Sequence, residues 1–179
     1  LDDNGKDLYD ALLSLKKDKI VKKIGISVYS PNELNSIFRK FHFDIIQSPF
    51  NLIDNRLEKT GWLSKLSSEG VEIHTRSVFL QGVLLMSREN LPKFFMENWP
   101  NLFEKWLSWN ENRNIRPIET CLAHVLSKPN IDRIVVGVDS LIQFKEILNL
   151  YNSVNLKDWP NIESEDEYLI NPSNWYNSN

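Results

Sequence analysis

Cysteine is almost missing: Cys121 is the single one in 179 residues. A disulfide framework is therefore excluded, and with it the small cross-linked secreted scaffolds. Cys121 sits in the apolar run IETCLAHVL with no activating basic group beside it, so it reads as a buried small hydrophobe and not as a nucleophile. Long apolar runs are missing too. None approaches the ~18–20 residues of a membrane span, and no signal-peptide pattern opens the chain, so no membrane partner and a reducing, cytoplasmic setting are the expectation. Basic charge is not in excess, since 21 Lys and Arg stand against 24 Asp and Glu for a net charge of −3, with the signs intermixed. That leaves no basic stripe to track a phosphate backbone, and nucleic acid is not an expected partner. KKDKIVKK is the one basic cluster, and it suits a helix end, where Lys complements the dipole, followed by a strand entry. Glycine is scarce at 6 residues, and the spacing G-x-G-x-x-G does not occur. Neither a metal-ligand cluster nor a Ser-His-Asp set is visible.

What remains is the composition of an ordinary globular domain, 41% hydrophobic and 25% charged, which argues for one ordered unit with a sizeable core. Four short Ile- and Val-rich segments recur along it: KKIGISVYS (22–30), FDIIQSPFN (43–51), GVEIHTRSVFLQG (70–82) and IDRIVVGVDS (131–140). Each turns polar at its C-terminal end just before helix-start chemistry, the grammar of a barrel of alternating strands and helices whose site lies at the strand ends. Four units make half of such a barrel. The chain begins at Leu1 and not at Met, which with the incomplete strand count predicts a missing N-terminal part.

The elements between these segments follow from periodicity and caps. A helix over 6–18, led in by Asn4-Gly5, would bury Leu8, Ala11, Leu12 and Leu15, and a strand Ile20–Ser27 follows. Ser30-Pro31-Asn32-Glu33 is a capping box that launches a helix carrying Leu34, Ile37 and Phe38. Residues 57–68 predict one helix with Trp62, Leu63 and Leu66 inward, closed by Gly70 in a left-handed cap. Strands 71–77 and 132–137 follow in their turn. The aromatic stretch 83–129 predicts a short helix, a Pro100-led helix and a Pro117-led helix, with Phe103, Trp106 and Trp109 as core. Ser140 caps a helix over 141–152 whose buried face would be Leu141, Phe144, Leu148 and Tyr151. The barrel half is assigned to 1–152, and 153–179, without periodicity, to an irregular tail that drapes over the barrel mouth or frays. The strands should be parallel, joined by right-handed crossovers. An isolated half would show water a concave apolar sheet face, so self-association through that face is expected.

Taken in order, KIGIS (23–27), IIQSPFN (45–51), RSVFLQG (76–82) and VVGVDS (135–140) resemble strands five to eight of an aldo-keto reductase. The resemblance implies a TIM barrel, the (β/α)8 form of the α/β class, that binds NADP(H) or NAD(H) across its strand ends without the Gly-rich fingerprint. By that resemblance Ser27 and Gln47 match positions that hydrogen-bond the nicotinamide carboxamide, which a hydroxyl and an amide can serve. Val28 replaces a usual Asn. Arg76 stands where the family commonly stacks an aromatic ring on the nicotinamide, and a guanidinium plane can also stack. Ser77, Val78, Phe79, Gln81 and Gly82 would line the pyrophosphate, where backbone N–H groups allow close approach. Gly137, Val138, Asp139 and Ser140, with Gln143 and Glu146, match the adenosine-phosphate end. Many NADPH-selective members place Lys or Arg where this chain has Gly137 and Gln143, and Asp139 opposes a 2′-phosphate, so weak discrimination or NADH preference is expected. Ile147 replaces an Asn often found beside Glu146.

The family's Asp-Tyr-Lys-His hydride-transfer set belongs to strands two to four, and no catalytic residue of it lies in this chain. His42, His74 and His124 do not match the catalytic position, and Tyr29 lacks the lysine partner. The expectation is thus the cofactor-binding half of an oxidoreductase that reduces a small carbonyl substrate, an aldehyde, ketone or sugar, inactive when alone. The alternative is a degenerate, non-catalytic barrel acting as a binding or regulatory module, which the departures at Val28, Arg76 and Ile147 would allow. A phosphate-binding isomerase or aldolase half-barrel is disfavoured, because Gly82 and Gly137 alone make too little of a phosphate loop.

Overall fold

Helices and parallel strands alternate through residues 5–177, the part that the computed structural model describes. The order is α1 (Gly5–Lys17), β1 (Gly25–Ser27), α2 (Pro31–Ile37), β2 (Ile45–Pro49), α3 (Arg56–Lys59), α4 (Trp62–Ser68) and β3 (Glu72–Arg76). A 3-10 turn (Val83–Leu85), α5 (Lys93–Asn98), α6 (Pro100–Arg113), α7 (Pro117–Leu126), β4 (Arg133–Ile134), α8 (Leu141–Ser153), α9 (Glu167–Ile170) and a second 3-10 turn (Pro172–Asn177) complete it. The strands form one parallel sheet in the order β1-β2-β3-β4. Sequential order in a parallel sheet is what four consecutive βα units of a (β/α)8 barrel produce.

The predicted caps are present. Glu33 Oε1 accepts from the backbone N–H of Ser30 at 2.7 Å and of Tyr29 at 2.8 Å, completing the box that starts α2. Ser140 accepts from Gln143 N–H at 3.2 Å and starts α8. Gly70 closes α4 at φ 71°. The helix expected over 57–68 is two, because Gly61 at φ 78° turns the chain between α3 and α4. Trp62, Leu63 and Leu66 are nevertheless buried as expected.

The outer strands are shorter than their apolar runs. Where a strand over 20–27 was expected, only Gly25–Ser27 pairs, and Ile20 is exposed. The Asp44 carboxylate accepts from Ile24 N–H at 2.9 Å, replacing a ladder bond with a side-chain bond just before β1. Asp132 treats Ile73 N–H in the same way at 2.8 Å just before β4, of which only Arg133–Ile134 pairs. The β1 and β2 backbones lie close together. A Cβ on Gly25 would meet the Ile45 carbonyl oxygen at 2.6 Å, so only glycine fits this register.

One face of the sheet packs on the helices through Ile46, Ser48, Ile73 and Thr75, all buried. That core continues through Leu34, Phe50, Leu66, Phe103 and Trp106, so the aromatic stretch is packing as expected, with Trp109 only half-buried and covered by Arg113. The opposite, open face was expected to be apolar and is not. The residues that alternate with the buried ones are Ser27, Gln47, Glu72, His74, Arg76 and Arg133, with Gly25, Ile45 and, covered at the strand end, Pro49. His74 bonds Glu72 at 2.8 Å and Lys23 pairs with it from the other side, which together hold that carboxyl down at about 2. A polar face of this kind tolerates water, so the apolar driving force for sticking to itself is smaller than the sequence suggested.

Two helix faces also differ from expectation. In α8 the buried residues are Ile147 and Leu150, whereas Leu141, Phe144, Leu148 and Tyr151 are exposed. In α1, Leu12 packs on the core as expected, but Leu8, Ala11 and Leu15 are exposed and Tyr9 makes the other contact. Asn4 lies outside the described residues. Both helices stand at the ends of an open sheet, where each has a neighbour on one flank only, so half of each apolar stripe is uncovered.

The segment after α8 is tied down. Ile162, Leu169 and Ile170 are buried, Ser164 N–H bonds the Ile53 carbonyl at 2.9 Å, and Trp99 donates to Asp166 at 2.9 Å. The short α9 has no repeat long enough to register as periodicity, and its cap, Asp166 to Tyr168 N–H at 2.9 Å, defines it instead.

Candidate functional site

The C-terminal end of β3 leads into a loop held in an uncommon backbone conformation. Ser77 has φ 61°, and then Leu80, Gln81 and Gly82 follow one another in the left-handed region at 46°, 53° and 86°. Only the last of these is glycine. The loop keeps this shape because it is pinned: Asn51 donates to the Ser77 carbonyl at 2.9 Å, Leu80 is fully buried beneath it, and Gly82 N–H bonds the Phe79 carbonyl at 2.9 Å. A non-glycine residue in this region costs about 1–2 kcal/mol, and such strain concentrates at ligand sites. Gln81 is exposed, so it contributes strain without core packing. The Gln81→Gly variant should therefore be more stable by about 0.5–1 kcal/mol, after allowing for the greater unfolded-state freedom of glycine. Urea melts would show a higher midpoint at unchanged slope; an unchanged or lower midpoint would remove the strain argument.

Opposite this loop, β4 runs out through Val135, Val136 and Gly137 to the cap of α8, and the N-terminus of α7 closes a third side with Arg116, Pro117 and Ile118. The three walls enclose a cavity of about 880 Å³. Of the residues singled out from sequence, Arg76, Ser77, Val78, Phe79, Gln81, Gly82, Gly137, Asp139, Gln143 and Glu146 line it. The topology thus gathers two chain segments some sixty residues apart, and it does so because β3 and β4 are neighbours.

The other four are placed differently. Ser27 and Gln47 lie side by side on the open face of the sheet, where Ser27 Oγ donates to Gln47 Oε1 at 3.1 Å and leaves the Gln47 amide N–H groups free to donate elsewhere. Val138 is exposed and Ser140 is committed to its cap, so neither lines the cavity. Gln143 lines it, but its Oε1 accepts from Asp139 N–H at 2.8 Å, so the side chain staples the β4–α8 turn. Arg76 is held in place as well: its guanidinium lies 4.9 Å over the Tyr29 ring and donates to the Val28 carbonyl at 3.1 Å.

Arg116 was not singled out from sequence. It lines the cavity, donates to Glu146 at 2.6 Å and to Glu119 at 2.9 Å, and is paired by both. The sequence signal was the R-P-x-E start of α7, which marks a helix start but not the cavity across from it. The histidines take structural positions. His42 is exposed before β2, His74 sits in β3, and His124 is buried in α7 with Nε2 on Asn55 Oδ1 at 2.9 Å. Cys121 is buried at 1% exposure, and desolvation pushes its thiol far up, which suits an inert side chain. Among the described residues, no group of three His, Cys, Asp or Glu side chains is placed to hold a metal ion, and no helix is long and apolar enough to cross a membrane.

Comparison with known families decides what kind of half-barrel this is: residues 4–165 match the model of the aldo/keto reductase family. The chain belongs to that family. Among curated relatives, the uncharacterized oxidoreductase YqkF of Bacillus subtilis (strain 168) is 22% identical over 169 residues, covering 88% of this chain and 54% of the relative. Among solved structures, the holo form of aldo-keto reductase AKR11C1 from Bacillus halodurans superposes with a TM-score of 0.66 at 19% identity, over 87% of this chain and 53% of that one. The glycerol dehydrogenase AKR11B4 from Gluconobacter oxydans does so with a TM-score of 0.51 at 19% identity, over 83% of this chain and 56% of its own. At these identities the structures speak for the fold, which is half of an aldo/keto reductase TIM barrel. The chain spans about half the length of the relatives it matches.

Proposed function

We propose that this chain forms the cofactor-binding half of an aldo/keto reductase, its cavity taking the pyrophosphate and adenosine of a nicotinamide dinucleotide, NAD(H) or NADP(H). The observation that carries the reading is the 880 Å³ cavity between the β3 loop and the α8 start, lined by the same segments that the family resemblance assigns to the cofactor. The residues present fit such a group. Gly82, in the left-handed region at the end of the β3 loop, exposes main chain to the cavity without a side chain, as close approach to phosphate requires. Phe79, Leu85, Ile118 and Val135 offer apolar surface for a flat base, and Arg76 offers a cation, whereas Arg116 is already paired with Glu119 and Glu146.

When bound, the dinucleotide supplies the hydride for reduction of a small carbonyl substrate. This chain's own residues bind and orient. Ser27 fixes the rotamer of Gln47, whose free amide N–H groups then face the open side of the sheet, where a carboxamide oxygen can accept. Arg76, held by Tyr29 and Val28, is a fixed guanidinium in the cavity wall. The proton donor for the developing alkoxide comes, in this reading, from the barrel half that the relatives have and this chain does not span. A reducing, cytoplasmic setting, in which Cys121 stays a free thiol, belongs to the same reading.

The test separates binding from turnover. The chain should quench or shift dinucleotide fluorescence on titration yet reduce no aldehyde or ketone above a buffer blank. Gln47→Ala should weaken binding by about 1–2 kcal/mol through the loss of one or two hydrogen bonds while leaving the fold intact by circular dichroism. Unchanged affinity in that variant would remove Gln47 from the site, and turnover that survives repurification would show that the acid lies within this chain.

A further inference from the structure

Two arginines line the cavity, and they are committed differently. Arg116 is paired with Glu119 and Glu146. Arg76 has neutral partners among the described residues: the Val28 carbonyl at 3.1 Å, the Ser77 hydroxyl at 3.5 Å and the Tyr29 ring, whose centre lies 4.9 Å from the guanidinium carbon. Its charge is therefore available to a ligand. We propose that Tyr29 is a positioning residue of this site: its ring holds the Arg76 guanidinium in the cavity wall for an anionic ligand, which is the dinucleotide on the reading that the cavity holds one.

Core packing does not account for Tyr29, which follows β1 and is 60% exposed. A tyrosine left so far in water gains little from burial. Its backbone is nevertheless tied on both sides, the N–H donating to Glu33 Oε1 at 2.8 Å and the carbonyl accepting from Arg56 at 3.2 Å. Both anchors are themselves fixed, Glu33 by the capping box of α2 and Arg56 by its two bonds to the buried Asp54 carboxylate. The ring thus has a set place without being buried. A guanidinium over an aromatic face is attracted by the ring quadrupole, so the contact holds Arg76 where it is. A free arginine side chain loses rotamer freedom when a ligand fixes it, and here that loss is taken before the ligand arrives. The Val28 carbonyl occupies one Nη2 N–H and leaves most of the fork's donors for a ligand.

The experiment titrates NADH at one ionic strength into the native protein, Tyr29→Phe, Tyr29→Leu, Arg76→Met and the double variant Tyr29→Leu with Arg76→Met. Arg76→Met should weaken binding about tenfold, the scale of one charge-assisted contact. Tyr29→Leu should weaken it about fivefold, the scale of a cation–π contact at an exposed site, and Tyr29→Phe, which keeps the ring, should bind as the native protein does. The double variant should lose no more than Arg76→Met alone, because Tyr29 acts through that guanidinium. The backbone bonds of residue 29 survive both substitutions, so urea midpoints should stay at the native value. Native affinity in Tyr29→Leu or in Arg76→Met, an equal loss in Tyr29→Phe, or a Tyr29→Leu loss that persists at full size in the double variant overturns this inference while leaving the cavity as a dinucleotide site. A lowered midpoint in Tyr29→Leu together with that persistent loss would identify the ring as packing and overturn it in the same way. If the native protein binds no NADH, the cavity reading falls and the inference falls with it.

Discussion

Arg56→Met should cost the protein about 3–5 kcal/mol, the scale of breaking a buried ion pair by removing one partner. Asp54 is buried at 1% side-chain exposure, and Arg56 reaches both of its oxygens, Nε to Oδ1 at 2.8 Å and one Nη to Oδ2 at 2.9 Å. The same guanidinium pairs with Glu167 of α9 and donates to the Tyr29 carbonyl after β1 at 3.2 Å. One side chain therefore joins the end of β1, the loop after β2 and the C-terminal segment. Methionine keeps most of the stem volume, so what the variant reads is the charge left without a partner. Urea unfolding at neutral pH should show the loss, and adding Asp54→Asn should restore part of it, because the stranded carboxylate is then gone. A loss below about 1 kcal/mol would mean that Asp54 finds water or another donor on relaxation.

The start of α2 could be read from four residues because its box is local: Ser30 and Glu33 satisfy backbone groups within their own turn. Strand lengths could not, because Asp44 and Asp132 take backbone N–H groups that an apolar run alone would have given to a ladder. The stripe Leu141, Phe144, Leu148 and Tyr151 is real as a periodicity, but a stripe does not name its cover, and at the end of an open sheet the contact passes to Ile147 and Leu150. The same distinction holds at the candidate site. The β3 loop and the β4–α8 turn were visible because each is a contiguous motif at a strand end, and neighbouring parallel strands bring such ends together. Arg116 was invisible for the converse reason. It reaches the cavity from the start of α7, and only the packing of α7 against α8 turns a helix-start residue into a wall opposite Glu146.

Lowering the pH from 7.5 to 5 should destabilise the protein by about 2 kcal/mol through His124 alone, a loss that grows to about 3 kcal/mol at lower pH. His124 stands in α7 with its ring stacked 5.3 Å from Phe50 and edge-on to Trp159 at 5.0 Å. Its Nε2 meets the Asn55 oxygen and so carries the proton, and Nδ1 is buried with no partner. A second proton would have to go on Nδ1, which faces no acceptor. Desolvation first, then the nearby Lys128 charge, depress the pKa to about 4, with Glu163 opposing. In the unfolded chain the imidazole titrates near its ordinary ~6.5, so between about 6.5 and 4 the unfolded state binds more protons, and stability falls as pH falls through that window. Carboxylates such as Glu72, held down to about 2, add their own losses at still lower pH, which separates the two effects. The measurement is unfolding free energy against pH for the native protein and for His124→Gln, which costs packing at every pH but has no proton to take up. The variant should flatten the slope between pH 6.5 and 4.5. Equal slopes in both proteins would show that the ring takes up its proton in the folded state, with water or a shifted Glu163 supplying the acceptor that Nδ1 lacks.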